Sequence, residues 1–256
     1  MKAYPNVKIN LGLSVLRKRP DGYHDIETLF VPFFGLRDEL EILPCPGGED
    51  GISLEGGDWD PRGDLSFRAV QLLRRDFGFP PVSISLKKNV PAGAGLGGGS
   101  SDAACALRLV NEMFSLGLDD ARLAAYAAEL GSDCAFFVYD RPMLGEGRGE
   151  RLTDFSLDLE NLRIELRMPE GVHVSTREAY SRVVPREQDP AGRMPLREAL
   201  ALPVEQWKDV LVNDFEASVF ALYPAVEAEK RRLYEQGAVY ASMSGSGAAV
   251  FGIFRK

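Results

Sequence analysis

Five of the seven residues from Gly93 to Gly99 are glycine, within the stretch PAGAGLGGGSSDAA at residues 91–104. No other run in the chain restricts its fold so sharply. Glycine reaches φ > 0 and lets the main chain approach a ligand with no Cβ in the way. Successive amides in such a loop can converge on an anion. A short apolar alternation precedes the run and a helical pattern follows it. The loop therefore leads into a helix start, where free N–H groups and the positive end of the dipole favour phosphate. Ser100 and Ser101 add hydroxyl donors. A triphosphate is the guest such a ribbon suits, and a flexible connector would not need this density of glycine between a strand and a helix.

Two other phosphate motifs are rejected. Gly93, Gly95 and Gly98 match G-x-G-x-x-G, and Asp119 falls about 20 residues further on, as in a dinucleotide fold. There the acid ends a second strand, whereas Leu118-Asp-Asp-Ala-Arg-Leu123 opens a helix. The motif also sits in mid-chain behind Pro91 rather than after a first strand. A Walker loop fails because no G-K-[ST] follows. Asp102 is awkward, since a carboxylate near phosphates repels them unless it caps the helix or reaches a metal.

Composition narrows the class. The net charge of −8 over 256 residues argues against a binder of nucleic-acid backbone, which presents a basic face. No run of about 18 uncharged apolar residues exists, so no membrane-spanning helix is expected. The start MKAYPNVKINLGL has no apolar core with a cleavage site, which predicts a cytoplasmic protein. Cys45, Cys105 and Cys134 form no close pair and fit reduced thiols. His24 and His173 are far apart, and no structural metal site is expected.

The period of two in residues 7–15 predicts a half-buried strand, with Val7, Ile9, Leu11, Leu13 and Val15 on one face and Lys8, Asn10, Gly12 and Ser14 on the other. Asp21-Gly22 marks a hairpin turn before a second strand at 23–34, and a third is expected at 36–43. Residues 47–63 read as a long loop or irregular strands, 65–77 as a helix and 82–86 as a strand. Helices are expected at 102–114 and 119–130, the second stopped by Gly131. The pattern resets near 150. Beyond it come a strand at 162–168, helices at 175–184, 196–202, 207–211 and 225–236, a polar loop at 185–195, and a glycine-interrupted strand pair at 239–254. Sheet and helix alternate irregularly, which predicts an α/β (α+β) chain of two domains, 1–152 and 153–256.

The loop resembles the second motif of the GHMP kinase superfamily. VKINLGL at residues 7–13 is similar to the first motif, and SMSGSGAAVF at 242–251 to the third. GSDCAFF at 131–137 resembles the segment that carries the catalytic acid. RPDGYHDIETLF at 19–30 is similar to the branch that phosphorylates 4-diphosphocytidyl-2-C-methyl-D-erythritol. The matches cover nearly the whole chain in the family's order. Departures are Asn6-Val7, where many members have Ala-Ala or Pro-Ala, Asp102, where many have asparagine, and Tyr180, where many have phenylalanine.

The resemblance implies a two-domain fold with the active-site cleft between the domains, and transfer of phosphate from ATP, with Mg2+, to the 2-hydroxyl of that substrate in the non-mevalonate isoprenoid precursor route. It implies a small-molecule substrate, no nucleic-acid or membrane partner, and a monomer or weak homodimer. By this mapping Pro91, Ala92, Gly93, Ala94, Gly95, Leu96, Gly97, Gly98, Gly99, Ser100 and Ser101 hold the ATP phosphates, and Asp64, Leu65 and Lys88 line the adenine end. Asp133, which spacing alone makes a helix cap, maps onto the general base. Lys8, which spacing alone makes an exposed strand lysine, maps beside it, with Asn10 orienting the substrate hydroxyl or Lys8. Tyr23, His24, Thr176 and Tyr180 map onto the cytidine site. Ser244, Gly245, Ser246 and Gly247 are either a tight hairpin or a turn that buttresses the phosphate loop. Arg148 is either a solvated hairpin charge or a contact for the substrate diphosphate. The competing readings are a kinase of the same superfamily acting on another small alcohol, such as homoserine or a mevalonate derivative, and a catalytically silent nucleotide-binding module.

Overall fold

Alternating strands and amphipathic helices resolve, in the computed structural model, into the following elements. The structure describes residues 1–188 and 193–256. In chain order the first half contains β1 (Lys2–Ala3), β2 (Val7–Lys18), β3 (His24–Phe33), β4 (Glu39–Pro44), β5 (Gly51–Glu55), α1 (Leu65–Asp76), β6 (Val82–Lys87), α2 (Gly98–Met113), α3 (Asp120–Leu130) and α4 (Cys134–Tyr139). Then follow β7 (Met143–Gly147), β8 (Arg151–Asp154), β9 (Leu162–Arg167), α5 (Thr176–Arg182), α6 (Leu196–Leu200), α7 (Trp207–Val210), α8 (Glu216–Leu222), α9 (Pro224–Glu235), β10 (Tyr240–Met243) and β11 (Val250–Arg255).

The chain divides into two compact units interleaved in sequence. Unit one comprises Met1–Lys8, Pro32–Ala92 and Gly97–Arg141, and unit two Ile9–Val31, Gly93–Leu96 and Pro142–Lys256. The break expected after residue 152 falls inside β8, eleven residues past the last crossing at 141/142.

Unit one carries the mixed sheet β1-β4-β6-β5. β4 pairs antiparallel with β6 through Ile42↔Ile84, and β5 runs parallel to β6 through Ile52↔Ile84. A parallel neighbour needs a crossover connection, and α1 lies in it. β6 alternates buried Val82, Ile84 and Leu86 with exposed residues. α1 packs on α2, α3 on α4, and α2 reaches β4. Asp64 starts α1 as its N-cap, accepting from the Ser66 amide at 2.8 Å, and Arg74 and Arg75 close it at the negative end of its dipole.

Unit two carries the sheets β2-β3-β7-β8 and β10-β11-β9. One core cluster joins Leu13, Val15 and Ile26 to Phe215, Val219, Leu233 and Met243, and another joins Ile9, Leu11 and Leu29 to Trp207, Tyr240, Phe251 and Ile253. α9 covers β10 and β11.

Several boundaries differ from expectation for physical reasons. β2 is longer and is buried on both faces over residues 7–15, so Lys8, Asn10 and Ser14 are interior polar groups rather than a wet face. α2 begins at Gly98, four residues early, because packing against α1 and α4 outweighs the poor helix propensity of Gly98 and Gly99. The short elements α4, β7, β8 and α8 were not foreseen. The polar loop expected at 185–195 contains a 3-10 turn, Arg186–Gln188; its residues 189–192 lie outside the described residues. Among the described residues no helix is long and apolar enough to cross a membrane.

Candidate active site

In unit one the glycine-rich loop ends at Gly97, whose φ of +72° caps α2 without any side chain. The Ser101 amide is the first to reach back, bonding to the Gly97 carbonyl at 2.9 Å. The amides of the turn before it have no intrahelical acceptor and gather at the positive end of a 16-residue helix. Gly97 is required twice over. Its φ disfavours a side chain, and a methyl there would fall 2.9 Å from Phe137 Cε2 and 3.3 Å from Lys8 Cε.

That close approach puts the stem of Lys8 under the loop. Its Nζ stands 3.5 Å from Asp133 Oδ2, with 4% of the lysine side chain and 31% of the aspartate side chain exposed. Burial pushes the Lys8 amine below its ordinary value, and the Asp133 carboxylate works against that shift. Asp133 occupies the N-cap position of α4, yet its side chain accepts no bond from that helix. The capping role that spacing alone suggests is therefore not the one its carboxylate performs. Sequence reasoning passed over Asn6, which donates to Asp140 Oδ1 at 2.7 Å and accepts from Ser101 Oγ at 3.3 Å, tying the start of α2 to the segment before β2.

The residues expected at the adenine end are placed differently from one another. Leu65 lies beside the loop, its Cδ1 3.8 Å from where a methyl on Gly99 would be. Asp64 is buried, and both its oxygens are engaged, by Ser66 and by Trp59 Nε1. Lys88 is placed most differently from a surface strand-end lysine. Its amine bonds to Asp38 and, at 2.5 Å, to Asp102. The side chains of Lys88, Asp38 and Asp102 are 5%, 1% and 0% exposed. The awkward acid of the loop thus does not cap α2 but turns into an internal cluster with Lys88 and Asp38. Asp38, with no motif around it, gave no signal in the sequence.

In unit two, the turn at Gly95 is gripped by the third motif. Ser244 Oγ donates to the Gly95 carbonyl at 3.1 Å, and the Ala249 amide donates to the Ala94 carbonyl at 3.1 Å. A methyl at Gly95 would fall 2.1 Å from the Ser244 carbonyl oxygen. Of the two readings of residues 244–247, the geometry is that of a buttress. Asn10 donates to Thr28 Oγ1 at 3.0 Å, and Thr28 in turn donates to the Gly12 carbonyl at 2.6 Å.

An aromatic group forms a second cluster in this unit. The His24 and Tyr180 rings lie 5.1 Å apart at 31°, and Phe215 meets Tyr180 edge-on at 4.7 Å. Burial holds the His24 imidazole below its ordinary value, and Lys18 adds to that. Tyr23 is 55% exposed, with the Arg148 guanidinium 4.9 Å over its ring. The hydroxyls of Thr176 and Ser246 are 3.1 Å apart. Each unit therefore carries a distinct set of groups. Unit one holds a helix start whose first amides lack an intrahelical acceptor, beside an amine–carboxylate pair, and unit two an aromatic and hydroxyl cluster. Among the described residues no three His, Cys, Asp or Glu side chains gather as a metal site, and the three cysteines are free.

Comparison with known proteins follows the same lines. Residues 64–141 match the GHMP kinases N terminal domain, and 196–256 the GHMP kinases C terminal region. A 4-diphosphocytidyl-2-C-methyl-D-erythritol kinase of Bacteroides fragilis is 46% identical over 261 aligned positions, covering 99% of this chain and 92% of the relative. A crystal structure of 4-(cytidine 5'-diphospho)-2C-methyl-D-erythritol kinase superposes with a TM-score of 0.82 at 35% identity, over 98% of this chain and 89% of the other. A homoserine kinase from Cytophaga hutchinsonii shares the fold, with a TM-score of 0.74 at 18% identity over 98% and 86% of the two chains.

Proposed function

Since the chain belongs to the 4-diphosphocytidyl-2-C-methyl-D-erythritol kinases, within the GHMP kinases, we propose that Lys8 and Asp133 carry transfer of the ATP γ-phosphoryl group to the 2-hydroxyl of that cytidine-linked polyol, a step of the non-mevalonate isoprenoid precursor route. The observation that carries this reading is the Lys8–Asp133 pair at 3.5 Å under Gly97, with a carboxylate that α4 does not use.

Phosphoryl transfer asks little covalent chemistry of a protein and much positioning and charge stabilisation. The amides leading into α2 would hold the phosphates of ATP, which enters with Mg2+ as the donor substrate. Asp133 accepts the proton of the attacking hydroxyl. Lys8 keeps that carboxylate ionised and offsets charge on the migrating group. Asn10, two residues along β2, orients the hydroxyl. Tyr23 and Tyr180 stack on the cytosine, His24 bonds its edge, and Thr176 adds a polar contact. Leu65 borders the adenine. Three free thiols accord with a reducing, cytoplasmic setting, and the chain acts as a monomer or weak homodimer.

The deciding assay incubates the protein with ATP, Mg2+ and the cytidine-linked polyol, and looks for ADP and a product heavier by one phosphate. Turnover of mevalonate or homoserine in its place, with no inhibition by cytidine nucleotides, would overturn the substrate assignment. Base–aromatic stacking is worth about 1–3 kcal/mol per base. Tyr23→Ala is therefore expected to raise the KM for the polyol roughly 5- to 150-fold, with a much smaller change in kcat. An unchanged KM would remove Tyr23 from the site.

A further inference from the structure

The roles assigned so far leave His173 unused, although it rests on the glycine-rich loop. It stands in the link between β9 and α5. Val172 packs against the core of unit two and Val174 is almost wholly buried, its Cγ2 3.6 Å from where a methyl on Gly247 would be. The two anchored valines hold the exposed residue between them in a fixed place. A methyl on Gly93 would fall 2.3 Å from His173 Cε1, 3.0 Å from Nδ1 and 3.2 Å from Nε2. The ring thus presses on Gly93 with its Cε1 edge, the edge flanked by both nitrogens.

Two features follow from this. Gly93, at φ +69°, is glycine for reasons of space as well as conformation. A ring that always donates at least one N–H, and two when protonated, stands beside the first glycine of a loop whose amides suit an anion. No hydrogen bond or ion pair among the described residues occupies that ring.

We propose that His173 is a phosphate-recognising residue of this kinase, donating a ring N–H to a phosphate group bound at the Gly93 turn. The inference rests on the kinase reading above. The phosphate belongs to the donor nucleotide or to the diphosphate of the acceptor, and the experiment separates these sources. His173→Ala, His173→Asn and His173→Gln are compared with the parent for affinity toward ADP against adenosine, and toward CDP against cytidine.

In His173→Ala, affinity for ADP or for CDP falls roughly tenfold or more, the scale of a hydrogen bond to a charged group, while the matching nucleoside binds as before. The arm that falls names the source. At least one amide variant, able to donate from near the Nδ1 or Nε2 position, recovers part of the loss, and in turnover the effect falls on KM rather than kcat. Equal losses for nucleotide and nucleoside would make His173 a packing residue, and no loss for either nucleotide would make it a bystander; either result overturns the proposal. A parent protein that binds neither ADP nor CDP would instead overturn the kinase reading on which it stands.

Discussion

Asp133→Ala is expected to lower kcat by about 10²–10⁴-fold, the range a positioned general base contributes, with KM for ATP and for the acceptor changed far less. The expectation rests on what the carboxylate does not do. It sits where a helix cap belongs and bonds no amide of α4, so removing it uncaps nothing and should leave the fold intact. Its ionic partner is the Lys8 amine, 3.5 Å away, whose stem Gly97 covers. Lys8→Ala should lower kcat by a comparable factor, and the double variant should lose little beyond either single one, because groups that act as a unit are not additive. The pH profile adds a separate check. Burial pulls the Lys8 pKa below 10.5, so charge on this amine is lost as pH rises through that lowered value. The alkaline limb of kcat should then begin below the usual lysine range. Near-normal turnover of purified, folded Asp133→Ala would end the assignment, as would a profile flat to pH 10.5.

How far the chain could be read without coordinates depended on whether the signal was local. The alternation at 7–15 marks β2, and the glycine density marks the loop that opens α2, because each is a property of neighbours along the chain. That Lys8, Asn10 and Ser14 would be buried was not legible, since a polar face looks the same whether it meets water or an interior site. The start of α2 was misplaced because Gly98 and Gly99 argue locally for a loop, while packing decides for helix. Cys134–Tyr139, a six-residue apolar run, cannot be told as helix or strand by periodicity. The role of Asp38 depends on Lys88 and Asp102, some fifty and more positions away in sequence, and His173 acquires meaning only from its place on Gly93. The proposed catalytic pair itself was reached through family resemblance. From spacing alone, Lys8 and Asp133 read as a strand lysine and a cap.

Lys88→Met is expected to cost about 3–5 kcal/mol of stability, the scale for removing one partner of a buried ion pair. The amine bonds Asp38 and Asp102, and all three side chains are at most 5% exposed. Asp38 also accepts from the amides of Asn89 at 2.6 Å and Val90 at 2.8 Å, so the triad fixes the segment that enters the glycine-rich loop. Asp102 Oδ1 has no hydrogen-bond partner among the described residues. Burial, with Asp38 adding and Lys88 opposing, pushes the Asp102 carboxyl up to about 8. The folded state therefore holds this proton more tightly than the unfolded chain, whose value is near 3.8. The contribution of this group to stability falls as pH rises between those limits and levels off above about 8. Two consequences can be measured by urea unfolding. Asp102→Asn, which puts a neutral amide in the place of the acid, should flatten that dependence. Lys88→Met should lose more at pH 9 than at pH 6, because at the lower pH protonation of Asp102 relieves part of the uncompensated charge, and adding Asp102→Asn should recover part of the loss. A Lys88→Met protein within about 1 kcal/mol of the parent at pH 9, well short of the cost of an uncompensated buried charge, would mean that water reaches these carboxylates, and that the acid beside the phosphate loop is free to meet the nucleotide after all.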